Sequence, residues 1–156
     1  MLPAIAIAVA IWGVMSQRAI ARRKATMEHL AIDNVDSDMI DARTKFIKLA
    51  KAPGGLAKYA ENDQEHSEEL EAIRLILNDF ELVSTAIQFG IMDFDFYKMQ
   101  SAGTVSRYWE CAAPFIHALR QRTGRKSLYQ EFEVLAGWID RNNRPPSRKI
   151  WLKKLF

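Results

Sequence analysis

From Met1 to Gln17 the chain reads MLPAIAIAVAIWGVMSQ, seventeen residues without one ionisable side chain. A helix over this stretch would be about 25 Å long, a little less than the roughly 30 Å hydrocarbon core of a bilayer. It can still span one if Arg18 and Arg22 snorkel and Trp12 sits toward the interface. A cleaved secretory signal is the first competitor, because Ala4, Ala6, Ala8 and Ala10 offer small-x-small patterns. Such a signal needs a basic region ahead of the apolar one, and the basic cluster here lies behind it, at Arg18, Arg22, Arg23 and Lys24. A buried helix of a soluble protein or of an oligomer core is the second competitor. The length and the flank favour a single membrane span over residues 1–17. The positive-inside rule then keeps the basic flank and the body of the chain in the cytoplasm, with the N-terminus outside. A single cysteine, Cys111, agrees with a reducing compartment and excludes an intramolecular disulfide framework.

The net charge of +3 hides a division along the chain. Residues 18–60 hold nine Lys/Arg against five Asp/Glu, residues 61–100 two against ten, and residues 101–156 eleven against four. A basic total invites a nucleic-acid reading, but a polyanion would have to avoid the acidic middle. Intramolecular complementarity between that middle and the basic C-terminal third explains the pattern more simply.

Beyond the span, residues 18–33 continue as a juxtamembrane helix with neither Gly nor Pro. Ile20, Met27 and Ala31 fall on one side, a stripe too short to establish a coiled coil. Asn34 to Ser37 supplies caps for a second helix to about Ala52, which Pro53-Gly54-Gly55 ends. A turn or two is expected within Leu56 to Asn62. Asn62 or Asp63 could cap a long helix from about Gln64 to Phe89, with Leu70, Ile73, Leu77, Phe80, Ser84 and Ile87 at alternating spacings of three and four. Leu75, Ile76, Leu82 and Val83 broaden that apolar face and make the helix central. Asp93 opens a short helix to Gln100, and Gly103 separates it from another that starts near Thr104 and carries Pro114 within it. Ser127 can cap a last helix on Leu128, Phe132, Leu135 and Ile139. No period-two alternation argues for strands. The expected fold is all-α: one transmembrane helix continuing into a small cytoplasmic bundle of about five helices over 34–141, followed by a basic-aromatic tail over 142–156.

The apolar N-terminal helix, its basic flank and the helix ending at Lys51-Ala52-Pro53 precede ILNDFELVSTAIQFGIMD, SRYWECAAPFIHALR and YQEFEVLAGWI. Together they resemble an uncharacterised bacterial and phage or prophage family, domain of unknown function 4760, most recognisably at Asn78, Phe80, Glu81, Gly90, Trp109 and Pro114. The resemblance covers most of the chain. It implies a membrane-tethered helical domain of bacterial or phage origin and supplies no catalytic residue.

The residues themselves carry little chemistry. Glu65, Glu68, Glu69 and Glu71 complement the dipole of a helix start. His66 with Glu69 does not make the Glu-x-x-His pattern of di-iron bundles. Asp93 and Asp95 lack the further oxygens of a Ca²⁺ loop. Cys111 and His117, six apart on a helix, point to different sides, although folding could bring His29 or His66 near the thiol. No P-loop, GxSxG or GxGxxG pattern occurs. No catalytic residue, metal ligand or cofactor site is therefore expected. Asn78 and Glu81 share a side of the long helix and read either as an exposed flank or as a buried polar pair meeting Arg107 or Arg120. In the tail, Arg148, Lys149, Trp151, Lys153, Lys154 and Phe156 interleave cations with aromatics, which suits an anionic membrane surface, a protein partner or, less well, nucleic acid, with a flexible solvated terminus as the simpler alternative. The leading expectation is a non-enzymatic, single-pass protein of the bacterial inner membrane that binds the lipid bilayer and a protein partner or a second copy. A nucleic-acid module using the basic C-terminal third, and an enzyme with an interhelical site near Glu81 or Asp79, are the rivals. The enzyme reading requires a concave pocket with convergent polar groups.

Overall fold

A computed structural model describes residues 2–61 and 67–141, with side chains described from Ile5 onward. All regular elements among the described residues are helices: α1 (Leu2–Val35), α2 (Ser37–Lys51), α3 (Lys58–Glu61), α4 (Glu68–Gln88), α5 (Phe94–Thr123) and α6 (Gln130–Asp140). The all-α expectation holds, with five helices after the long first one.

The apolar stretch and the juxtamembrane stretch form one helix of 34 residues, about 50 Å long. This is the only helix among the described residues long and apolar enough to cross a membrane. Its two halves differ. From Ile5 to Met15 the large side chains stand in the open, Trp12 at 71% exposure and Ile7 at 60%. Thr26 and Asp33, in the second half, are buried where α1 meets α2 and α5.

Each junction has a local cause. Asp36 caps α2 by accepting the Met39 N–H at 3.0 Å, and left-handed Gly54 and Gly55 follow its end. Ser67, and not Asn62 or Asp63, caps α4, accepting the Leu70 N–H at 3.2 Å. Asp93 caps α5 through the Phe96 N–H at 3.0 Å. The sequence predicts a break at Gly103, yet α5 runs through it. Phe94, Tyr97, Val105, Tyr108, Ala112, Ile116 and Leu119 are all buried along the helix, and that continuous stripe outweighs the roughly 1 kcal/mol penalty of one glycine. Ser127 does not cap α6. Tyr129 precedes it in the left-handed region at φ 54°, without a side-chain cap of its own.

In the core, α4 packs on α2 and α6, and α5 packs on α3 and α6. An aromatic column crosses these layers: Phe46 stacks on Tyr108 at 4.9 Å, Tyr108 meets Phe80 at 5.5 Å, Phe80 stacks on Phe132 at 4.4 Å, and Trp109 meets Phe132 edge-on at 5.3 Å. The face of α4 is narrower than its composition suggests. Ile76 and Val83 are buried, but Leu82 is 64% exposed and Leu75 also faces outward, forming with Phe89 a stripe at intervals of seven.

Candidate functional site

The second half of α1 closes one side of a polar pocket of about 330 Å³. Leu30 and Asp33 of α1, Arg43 of α2, Ile76, Asp79 and Phe80 of α4, and Tyr97, Ser101, Arg107 and Tyr108 of α5 line it. Thr26 holds α1 in this position. Its hydroxyl donates to the Arg22 carbonyl at 2.9 Å and accepts the Asp93 N–H at 2.8 Å. Arg23, itself exposed, adds an ion pair to the largely covered Asp93 carboxylate at 3.9 Å.

Four helices converge on the pocket with ionisable groups. His29 Nε2 lies 3.5 Å from Asp79 Oδ1, joining α1 to the middle of α4. Arg43 clamps Asp33 from α2, donating Nη1 to the Asp33 carbonyl at 3.1 Å and Nη2 to Asp33 Oδ2. Asp33 Oδ1 is buried with no hydrogen-bond partner among the described residues. One ligand atom from each of His29, Asp33 and Asp79 lies within 4.8 Å of the others. Burial raises the Asp79 carboxyl above the ordinary aspartate range, and the nearby His29 and Arg43 offset this only in part. Burial likewise pushes the Tyr97 phenol well above its usual range, with the Asp79 charge adding and a hydrogen bond from Ser101 opposing. An imidazole on a buried carboxylate, opening onto a cavity, can move protons or bind a cation.

Sequence reasoning missed this cluster, since it expected no metal ligands. One signal was present: His29 and Asp33 are four apart, one helical turn, on the same side of α1. The third member, Asp79, is fifty residues away and reaches them only through the fold.

The other candidate residues are dispersed. Asn78 is exposed and makes no buried pair with Glu81, because that face of α4 turns to solvent. Glu81 instead accepts the Phe132 N–H at 2.8 Å, standing in for the missing cap of α6 from another helix. Burial raises the Glu81 carboxyl, and the Phe132 N–H and the Arg120 charge oppose that. Arg120 itself bonds the Leu128 carbonyl at 2.8 Å and Glu133 at 2.7 Å. Arg18, Arg22, Arg23 and Lys24 are exposed on α1. Cys111 lines a smaller apolar pocket of about 130 Å³ with Phe46, Ile47 and Ala50, while His117 packs edge-on to Trp109 at 6.4 Å. His29 pairs with Asp79. Glu68, Glu69 and Glu71 occupy the first turn of α4. His66 and the tail residues Arg148, Lys149, Trp151, Lys153, Lys154 and Phe156 lie outside the described residues.

The model of one protein family, described as a domain of unknown function (DUF4760), matches residues 1–138, which takes in α1 and all three members of the His29 cluster. No curated protein and no solved structure shows significant similarity to the chain.

Proposed function

Because the chain belongs to the DUF4760 family, whose description states no activity, we propose from its own geometry that it is a membrane-anchored helical interaction protein. The first half of α1 crosses the inner membrane of a bacterium, and the helical domain works on the cytoplasmic side, where it binds a protein partner or a second copy of itself. One observation carries the reading: α1 is continuous, bare of contacts over Ile5–Met15 and docked on the domain by Thr26 and Asp33. A bare run of Ile, Val, Trp and Met is costly in water and favourable in lipid, at about 25 cal/mol per Å² of apolar surface. Arg18, Arg22, Arg23 and Lys24 follow the bare run directly and set the orientation. The partner surface is the outward apolar stripe of Leu75 and Leu82 on α4 and Phe89 at its C-cap, together with Ile20 and Met27 on α1.

Topology is tested by replacing Cys111 with Ala and introducing single cysteines at exposed Asp36 or Lys51. A membrane-impermeant maleimide should label these positions only after the cells are opened. Labelling in intact cells would reverse the orientation.

A second reading, an enzyme with an interhelical site, gains support from the pocket around Asp79. Two carboxylates, two guanidinium groups and two phenols line it, and the His29 imidazole pairs with one of those carboxylates, which supplies the convergent polar groups such a site needs. Screening the purified chain for hydrolysis of generic ester and phosphoester substrates tests it. Turnover abolished by His29→Ala supports the reading, and turnover unchanged by that variant refutes it.

A further inference from the structure

We infer that His29, Asp33 and Asp79 form a binding site for one divalent cation of the first transition row, of the Mn²⁺ or Zn²⁺ type. Three observations place it there. The donor atoms come from one turn of α1 and from α4, and all lie within 4.8 Å of one another. Metal–nitrogen and metal–oxygen bonds of about 2.0–2.2 Å set neighbouring ligands roughly 3.3 Å apart in a tetrahedral shell, so closing on an ion needs movements of an ångström or so. His29 Nε2 and Asp79 Oδ1 are already close to that spacing, at 3.5 Å.

The second observation is the state of Asp33. The residue is only 8% exposed, and its Oδ1 is buried without a partner among the described residues. A buried carboxylate oxygen left bare carries a substantial desolvation cost, which a cation would remove. The third is the Arg43 clamp. By holding Asp33 Oδ2 and the Asp33 carbonyl, Arg43 fixes the carboxylate and leaves Oδ1 as its oxygen without a hydrogen bond among the described residues. Outer contacts of this kind orient metal-binding carboxylates.

Chemistry selects the class of ion. One imidazole with two carboxylates is softer than the all-oxygen shells of Mg²⁺ and Ca²⁺ and harder than the thiolate shells of structural zinc. Three protein donors leave at least one position open, and Asp33 and Asp79 both line the 330 Å³ pocket, so water or a small anionic ligand can reach it. The inference rests on this geometry alone and stands whether or not α1 crosses a membrane.

The test is a titration of the untagged full-length chain in detergent micelles with Mn²⁺, read as loss of the free-ion electron paramagnetic resonance signal, with Zn²⁺ as competitor. The expected result is one Mn²⁺ per chain, displaced by Zn²⁺. His29→Ala and Asp79→Asn should each weaken it by about tenfold or more, while Glu28→Gln, an exposed neighbour on α1, leaves it unchanged. Absence of binding at millimolar Mn²⁺ and Zn²⁺ overturns the inference and leaves a simple His29–Asp79 ion pair. Equal binding by folded variants overturns it too. Should the substitutions cost the helical circular dichroism signal, the ion is read in a His66→Gln, His117→Gln background, where His29 is the one remaining imidazole. Nitrogen coupling to bound Mn²⁺ then supports the site, and its absence contradicts it.

Discussion

The hydroxyl of Thr26 accepts the backbone N–H of Asp93 at 2.8 Å, joining the buried turn of α1 to the residue that caps α5. Thr26 is fully buried and also donates to the Arg22 carbonyl, so both the donor and the acceptor capacity of its hydroxyl are used. This bond ties the long helix to the start of α5, beside the Arg43–Asp33 and His29–Asp79 pairs that tie it to α2 and α4. Thr26→Val keeps the shape and removes the acceptor, leaving the Asp93 N–H without that partner. The expected cost is about 1–3 kcal/mol, read as a fall of several degrees in the thermal unfolding midpoint. Thr44→Val, at an exposed threonine that only back-bonds to Ile40, should be near neutral and serves as the control.

Glu81 is the second long-range cap. Its carboxylate reaches from the middle of α4 to the Phe132 N–H in the first turn of α6, where Tyr129 offers no side-chain bond. Glu81→Ala should therefore destabilise the domain by about 1–2 kcal/mol, in the range of a lost helix cap. Glu81→Gln retains an accepting oxygen and should lose less. Denaturant midpoints of the two variants against the parent chain check the order.

Phe80 is the junction of the aromatic column, in contact with both Tyr108 and Phe132. Its truncation to alanine should cost about 3–5 kcal/mol, whereas Leu82→Ala, one helical step from the core and exposed, should stay within about 0.5 kcal/mol. Both are measured by the same denaturant titration.

Alkali should unfold the domain through its buried phenols. Burial is the main cause that raises Tyr97, Tyr108 and Tyr129 above the usual tyrosine range; Asp79, Cys111 and Glu81 respectively add to it. Arg43 opposes the rise at Tyr97 and Tyr108, and Arg74 opposes it at Tyr129. Above about pH 10 the unfolded chain releases these protons before the folded one does. The folded state then holds more protons, so stability, intact below the unfolded value, falls as pH rises. Thermal midpoints should be flat through neutral pH on this account and drop above pH 10. Tyr97→Phe should make that drop shallower without moving its onset, which Tyr108 and Tyr129 still set.

Much of the fold was legible because it depends on local periodicity. The stripe from Leu70 to Ile87 and the stop at Pro53-Gly54-Gly55 follow from residues close in sequence. Gly103 misled because its penalty is small beside the stripe that continues from Tyr97 to Val105. Leu75 and Leu82 misled because apolar composition alone does not say which flank of a helix meets a neighbour. The pocket was harder still. His29 and Asp33 stand one turn apart in plain view, but their meaning depends on Asp79 and on Arg43, which only the packing of α1 and α2 against α4 brings to them. Of Glu81 and Asp79, the two positions near which the sequence weighed an interhelical site, Asp79 lines the cavity, while Glu81 is bonded to the Phe132 N–H.

On the proposed function one helix joins a membrane span to the domain, and membrane extraction tests this. Full-length chain and a form lacking residues 1–17 are expressed in bacteria, and the membranes are washed with high salt and then with alkaline carbonate. The full-length protein should stay with the membrane through both washes, while the shortened form is released or never sediments. Release of the full-length protein by either wash would contradict the claim and require Ile5–Met15 to be covered by protein instead of lipid.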